Sequence, residues 1–128
     1  MACVLIVDDD EADRLLLEAM LRPDEHELLF AASGEEALKL YLRHAVDVVV
    51  TDIQMPHGDG IELISALRGL DPDSKIIAVS GRAMHTLEIA QLAGAVAILP
   101  KPVDRDRLSR AVHAAAGGGG ATDAPPSF

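Results

Sequence analysis

The segment Asp47-Val48-Val49-Val50-Thr51-Asp52 decides the fold. Its run of valines is typical of a strand that is buried on both faces, as in a parallel sheet covered by helices. A carboxylate directly after such a strand is expected at its carboxyl end, where open α/β sheets bind their ligands. Pro56, Gly58 and Gly60 then predict a loop. Taken alone, Asp52 is explained equally well as the start of a turn.

The composition is that of one globular domain. The chain has 128 residues, of which 49% are hydrophobic and 2% aromatic, so its core must be largely aliphatic. The formal net charge of -10 disfavours direct binding to nucleic acid or to an anionic membrane. With Cys3 as the single cysteine, no internal disulfide can form, which suits a cytoplasmic protein. No segment approaches the roughly 20 apolar residues that cross a bilayer.

Strand and helix patterns alternate along the chain. Strands are predicted over residues 3–7, 27–31, 47–52, 75–80 and 95–99. Helices are predicted from residue 12 to Pro23 and over residues 34–43, 61–70, 84–93 and 104–115. This (βα)5 pattern predicts a doubly wound α/β domain, in which right-handed crossovers place helices on both faces of a parallel sheet. The domain is expected to span residues 1–116, and the Gly- and Pro-rich residues 117–128 are expected to form a flexible tail.

The helix starts carry capping signals. Asp10 is suited to cap the first helix, Ser33-Gly34-Glu35-Glu36 reads as a capping box for the second, and Asp104 is suited to cap the last. The apolar spacing in the first helix predicts that one face packs inward. That face comprises Ala12, Leu15, Leu16, Ala19 and Met20.

Acidic residues follow two of the predicted strands. Asp8 and Asp9 follow the first strand, and Asp52 closes the third. The carboxyl ends of parallel strands share one edge, which also receives Ser80 and Lys101. Like charges at 4 Å repel by about 4 kcal/mol at an effective dielectric of 20, so a cation is expected among these carboxylates. Mg²⁺ fits, because it binds hard oxygen ligands through few carboxylates.

Short motifs stand at the ends of the predicted strands. They are Val7-Asp8-Asp9, Thr51-Asp52 with Met55-Pro56 and Asp59-Gly60, Val79-Ser80-Gly81, Gly94-Ala95, and Lys101-Pro102. In this order and placement the set resembles the receiver domain of two-component response regulators, and in particular the chemotaxis regulators, over residues 3–115. The resemblance implies a flavodoxin-like three-layer sandwich with a five-stranded sheet in the order 2-1-3-4-5.

The resemblance also implies roles for single residues. Asp52 would accept a phosphoryl group from a phosphohistidine, Lys101 would pair with Asp52 and then with the phosphoryl oxygens, and the Ser80 hydroxyl would donate to the phosphoryl group. Mg²⁺ would be bound by Asp9, by Asp52, by the Gln54 backbone carbonyl, and by Asp8 through water. The peptide bond before Pro102 would be cis.

The implied protein is a signalling module rather than an enzyme. Its reactions would be its own phosphorylation and slow autodephosphorylation. Its partners would be a sensor histidine kinase or a histidine phosphotransfer protein and a downstream protein target, with no direct contact to nucleic acid or membrane. The module is expected to be a monomer or a weak dimer.

Two other readings remain. Asp8-x-Asp10 after a first strand also resembles the haloacid-dehalogenase phosphatases, in which Asp8 would be the nucleophile. A receiver kept only as a binding scaffold is the third possibility, against which the complete set of acidic pair, acceptor, hydroxyl and lysine argues. The chain also departs from the usual receiver: Ile98 replaces an aromatic residue, Gly58 a Met and Val103 a Phe. The change at Ile98 predicts that activation does not run through a rotating ring, since a β-branched side chain is stiff at χ1.

Overall fold

A computed structural model describes residues 2–55, 59–81, 88–89 and 93–117. The strands are β1 Cys3–Val7, β2 Glu27–Ala31, β3 Val48–Asp52, β4 Ile76–Ser80 and β5 Ala97–Pro100. Four helices are defined within the described residues, α1 Glu11–Leu21, α2 Gly34–Arg43, α3 Asp59–Leu70 and α4 Arg105–Ala115, and a 3-10 turn spans Arg22–Asp24. Most of the helix predicted over residues 84–93 and of the tail predicted over residues 117–128 lies outside the described residues.

The strands form one parallel sheet in the order β2-β1-β3-β4-β5, which confirms the predicted fold. Every residue of β1, β3 and β4 is buried, as their continuous apolar sequences predict. Alternate residues of β1 enter two different cores. Val4 and Ile6 pack with α1 and α4, whereas Leu5 and Val7 pack with α2 and α3. The sheet is therefore the middle of three layers.

Helix α1 faces the sheet differently from the prediction. Its buried residues are Leu17 and Leu21, while Leu15 and Leu16 are 55% and 51% exposed. Of the residues predicted to face inward, Met20 packs against the core, but the other four are exposed, so the prediction was wrong for Ala12, Leu15, Leu16 and Ala19. At its amino-terminal end, the side of α1 that faces the sheet carries polar residues. One of them is Arg14, whose guanidinium donates to the Asp8 carbonyl at 2.8 Å. Apolar spacing alone does not reveal this contact.

The predicted caps form. The Asp10 carboxylate accepts the N–H groups of Ala12 and Asp13, and the Asp104 carboxylate accepts that of Arg107. Ser33 Oγ accepts the Glu36 N–H at 3.1 Å. The return bond of this box reaches one residue further back than the sequence motif predicts, since Glu36 Oε1 accepts the N–H of Ala32 at 2.8 Å. Each cap satisfies backbone donors that the helix leaves unpaired.

Gly60 brings the start of α3 against the end of β3. A Cβ atom at this position would lie 2.4 Å from the carbonyl oxygen of Asp52 and 2.6 Å from the Cα of Ile53. Both neighbours are backbone atoms, so they cannot swing aside as a side chain could. Only glycine therefore permits this approach of helix and strand.

We expect Gly60→Ala to destabilise the fold by roughly 1–3 kcal/mol, because the end of β3 must shift. Gly69→Ala in the same helix is the matched control, since a Cβ atom there has nothing within 4 Å. That substitution should stabilise by about 0.5–1 kcal/mol through helix propensity. Urea unfolding of both variants measures the difference. Equal effects at the two positions would contradict the packing argument.

Candidate functional site

The site lies at the carboxyl edge of the sheet. Val7 pairs with Thr51 across β1 and β3, so Asp8 and Asp52 emerge side by side. Asp8 is fully buried and Asp52 is 3% exposed, whereas Asp9 is exposed. Each of these three carboxylates offers an oxygen within 4.8 Å of the other two. The structure thus brings together the acids that the strand pattern placed at this edge.

Lys101 supplies the positive charge of this edge. Its backbone N–H donates to the Ser80 carbonyl at 2.9 Å, directly after the pairing of Ser80 with Pro100. Its Nζ lies 3.6 Å from a carboxylate oxygen of Asp8 and 3.6 Å from one of Asp52. The peptide bond between Lys101 and Pro102 is cis, as the resemblance implied.

Asp13 is a part of the site that sequence reasoning missed. Its carboxylate accepts a hydrogen bond from Lys101 Nζ at 2.9 Å, which is shorter than either of the other two Lys101 contacts. Its place follows from helical spacing once the inward face of α1 is known, because Asp13 precedes the buried Leu17 by four residues and Leu21 by eight. A polar residue at the site end of an inward stripe is well placed to reach the strand edge.

Gln54 connects the acceptor strand to β4. Its backbone N–H donates to Asp52 Oδ1 at 3.2 Å. Its side-chain Oε1 accepts the Ser80 hydroxyl at 2.8 Å and the Gly81 N–H at 3.2 Å. The sequence assigned Gln54 a backbone carbonyl ligand to Mg²⁺, but it did not predict these side-chain contacts.

An open cavity of about 420 Å³ lies over these residues. Its lining is mostly polar and contains Asp9, Asp10, Asp13, Asp52, Gln54, Gly81 and Lys101. The opening gives a small anion access to Asp52 and Lys101 together. Ile98, in contrast, is half-buried on β5 and packs against the core that contains α2 and α3. Gly58 lies outside the described residues.

Burial raises the pKa of two carboxylates of the site, Asp8 and Asp52. It raises the pKa of Asp8 to about 6, although the hydrogen bond from the Asp10 N–H and the charge of Lys101 oppose the shift. Burial also raises the pKa of Asp52, against the charge of Lys101 and the hydrogen bond from Gln54. For Lys101, burial works against the ammonium, but the Asp13 hydrogen bond and the neighbouring carboxylates outweigh it and raise its pKa.

The donor set suits a hard divalent cation. Among the described residues, Asp8 Oδ2 is a buried oxygen without a hydrogen-bond partner, and its nearest positive charge is Lys101 at 3.6 Å. Burial disfavours the ionised form of a carboxylate, and a bound cation stabilises that form by compensating its charge. Oxygen ligands of this kind are those that Mg²⁺ prefers.

Comparison with known proteins decides the family. The family model described as "Response regulator receiver domain" matches residues 4–113. The chain belongs to this family. It is accordingly a receiver domain of two-component signalling, with the flavodoxin-like fold of the chemotaxis regulators. The reading as a haloacid-dehalogenase phosphatase and the reading as a bare scaffold are not favoured.

Relatives of very different length match the chain. The chemotaxis protein CheY of Bacillus subtilis is 31% identical over 112 residues, which cover 86% of this chain and 93% of that protein. A response regulator receiver protein of Anaeromyxobacter is 37% identical over 105 residues, covering 81% of this chain. That match spans 44% of the Anaeromyxobacter protein. The transcriptional regulatory protein ZraR of Salmonella typhimurium is 33% identical, and the match spans 26% of its length. In the ZraR match, 88% of this chain is covered.

Solved structures agree with the fold. A response regulator receiver domain from Clostridium thermocellum has a TM-score of 0.86 at 28% identity and covers 91% of this chain and 95% of its own. CheY in a CheX-CheY-BeF3-Mg complex from Borrelia burgdorferi has a TM-score of 0.81 at 31% identity, with 88% and 87% covered. Within the part of the chain that the structure describes, none of the helices has both the length and the apolar sequence needed to cross a membrane.

The raised pKa of Asp8 predicts a pH-dependent stability. In the unfolded chain Asp8 titrates near 3.8, and in the fold near 6. The folded state therefore holds the proton more tightly, and this contribution is complete below the unfolded pKa and lost as the pH rises through about 6. Asp8→Asn does not lose this contribution, because an amide does not titrate. In the presence of chelator, the unfolding free energy of Asp8→Asn relative to that of wild type should therefore be higher at pH 7.5 than at pH 4, by an amount on the order of 1–3 kcal/mol.

Urea unfolding at the two pH values measures this gain, and Asp73→Asn, at an exposed acid, is the control. If Asp8→Asn differs from wild type by the same amount at both pH values, Asp8 does not titrate differently on folding.

Proposed function

We propose that Asp52 accepts a phosphoryl group from the phosphohistidine of a sensor kinase or phosphotransfer protein. The observation that carries this proposal is the position of the Asp52 carboxylate, which lines an open cavity 3.6 Å from Lys101 and beside Asp8 and Asp9. An oxygen of Asp52 attacks phosphorus, so an O–P bond forms while the P–N bond of the donor breaks. The released electron pair stays on the imidazole nitrogen, and the product is an acyl phosphate.

The residues around Asp52 serve the transfer. The Lys101 ammonium turns from its carboxylate partners to the phosphoryl oxygens, because the Asp52 carboxylate loses its own negative charge when it becomes an acyl phosphate. The Ser80 hydroxyl, at the end of β4, donates to the same group. Asp9, Asp52 and the Gln54 backbone carbonyl, with Asp8 through water, would hold Mg²⁺, which would offset the charge on the phosphoryl oxygens.

The output is carried by contacts with another protein. The net charge of -10 opposes contact with nucleic acid, so we assign the signal to a protein surface rather than to direct DNA binding. The complex of the Borrelia relative with CheX, fluoroberyllate and magnesium supports both the metal and a protein partner. Hydrolysis of the acyl phosphate by water resets the domain, which otherwise carries out no catalysis on other substrates.

Acetyl phosphate with Mg²⁺ should phosphorylate the protein at Asp52. Intact-mass measurement should find an adduct in wild type that Mg²⁺ removal suppresses, since the phosphoryl charge is then uncompensated. Asp52→Asn should lose the adduct because the amide is not a nucleophile, whereas Asp73→Asn, at an exposed acid, should keep it. An adduct that forms on Asp52→Asn at the wild-type rate would place the acceptor elsewhere, and one lost only on Asp8→Asn would favour the phosphatase reading.

Mg²⁺ should raise the melting temperature, because it binds the folded site and relieves carboxylate repulsion. At a concentration about 100 times its Kd the stabilisation is about 2.7 kcal/mol. Asp9→Asn should abolish the increase, while Glu11→Gln, which removes an exposed acid two residues away, should retain it. Thermal unfolding with Mg²⁺ and with chelator gives the comparison. An undiminished increase in Asp9→Asn would remove Asp9 from the metal site.

A further inference from the structure

One side-chain oxygen holds two donors at the rim of the cavity. Gln54 Oε1 accepts the Ser80 hydroxyl at 2.8 Å and the Gly81 backbone N–H at 3.2 Å. The two donors come from consecutive residues at the end of β4, and the acceptor comes from the segment after β3. A neutral amide oxygen therefore joins the ends of two neighbouring strands in the resting protein.

The same two donors face the place where a phosphoryl group on Asp52 would lie. Asp52 pairs with Val79 across β3 and β4, so Ser80 is the next residue along the neighbouring strand. Gly81 and Gln54 line the cavity together with Asp52 and Lys101. A phosphoryl oxygen and Gln54 Oε1 therefore require the same hydrogen bonds, and the two cannot both hold them.

The charge of each acceptor decides which of the two takes the hydrogen bonds. Hydrogen bonds to an ionised oxygen are roughly twice as strong as those between neutral groups. An anionic phosphoryl oxygen should therefore displace the amide oxygen. Losing the two bonds to Gln54 nevertheless reduces the net free energy that the phosphoryl group gains in the activated state. A ligand shifts a conformational equilibrium only by its differential affinity for the two states.

We propose that the Gln54 side chain is a resting-state latch, which keeps Ser80 and Gly81 bonded until a phosphoryl group on Asp52 takes them over. The inference rests on the proposed phosphorylation of Asp52. The latch acts on the donors rather than on the reacting atoms, so Gln54 is a positioning residue. Its backbone N–H bond to Asp52 Oδ1, at 3.2 Å, places the latch next to the acceptor that releases it.

Lys101, which also lines the cavity, shows the same arrangement. Its ammonium is hydrogen-bonded to Asp13 at 2.9 Å and lies 3.6 Å from Asp52. Both groups that the phosphoryl oxygens would bind, the ammonium and the hydroxyl, thus have partners within the chain at rest. The two partners differ in charge, since Asp13 is a carboxylate and Gln54 a neutral amide. Gln54 is therefore the partner that an anion displaces without first separating an ion pair.

Fluoroberyllate, which mimics the phosphoryl group, tests the latch by its affinity for the Mg²⁺-saturated protein. Gln54→Met keeps the length of the side chain but removes the amide oxygen. Because no acceptor then competes, its Kd for fluoroberyllate should be about fivefold lower than that of wild type, from two neutral hydrogen bonds. Gln54→Asn, which keeps the amide but shortens its reach, should also bind more tightly. It provides a second variant if Gln54→Met is poorly folded.

Two further measurements separate a latch from a merely structural role. In the free protein, the Gly81 amide resonance should move upfield in Gln54→Met, because its hydrogen bond is lost. In the Ser80→Ala background, Gln54→Met should improve fluoroberyllate binding less than in wild type, since one of the contested donors is already absent. An unchanged Gly81 resonance, or full additivity of the two substitutions, would overturn the latch.

The outcomes distinguish the latch from the function on which it rests. If wild type neither binds fluoroberyllate nor forms the acetyl phosphate adduct, phosphorylation at Asp52 is wrong, and the latch with it. If wild type does both, but Gln54→Met and Gln54→Asn bind fluoroberyllate no more tightly, the function stands and the latch is wrong.

Discussion

The site depends on one ammonium group that lies among three carboxylates. Lys101 Nζ is within 3.6 Å of Asp8 and Asp52 and 2.9 Å from Asp13. Within the part of the chain that the structure describes, these are the carboxylates paired with Lys101, and their charge exceeds what it can neutralise. The buried strands force this excess, because they end at a common edge and deliver Asp8 and Asp52 side by side. A cation and a phosphoryl group both change that balance, which explains why their binding should be coupled.

The contacts of the site also affect the packing of α1. Asp13 and Arg14 reach the site, so the residues one turn further along, beginning with Leu17, are those that pack on the sheet. Leu15 and Leu16 consequently remain exposed, although they are as apolar as Leu17. Rotating the helix to bury them would expose Leu17 and Leu21 instead, so the helix buries one apolar pair at the expense of the other.

Sequence patterns predicted the strands and the residues at their ends, because these follow from rules that act along the chain, whereas the order of the strands was implied by the resemblance to receiver domains. Continuous apolar runs define buried strands, and parallel pairing gathers Asp8, Asp52, Ser80 and Lys101 at one edge. The contacts of Asp13 and of the Gln54 side chain were not predicted. They depend on the direction in which each side chain leaves its element, and an apolar pattern does not record the direction of polar residues.

The position of Ile98 fits a switch that operates locally. Ile98 pairs with Ala78 on β4, two residues before Ser80, and its half-buried side chain packs against the core that contains α2 and α3. A β-branched side chain packed in this way is stiff at χ1 and is poorly suited to a large change of position. If Ser80 exchanges Gln54 for a phosphoryl oxygen, however, the exchange is completed at the end of β4, beside the cavity that Gln54 lines. The energy difference between the resting and activated states then lies mainly in hydrogen bonds at the ends of β3 and β4. An aromatic ring at position 98 is not required to create it.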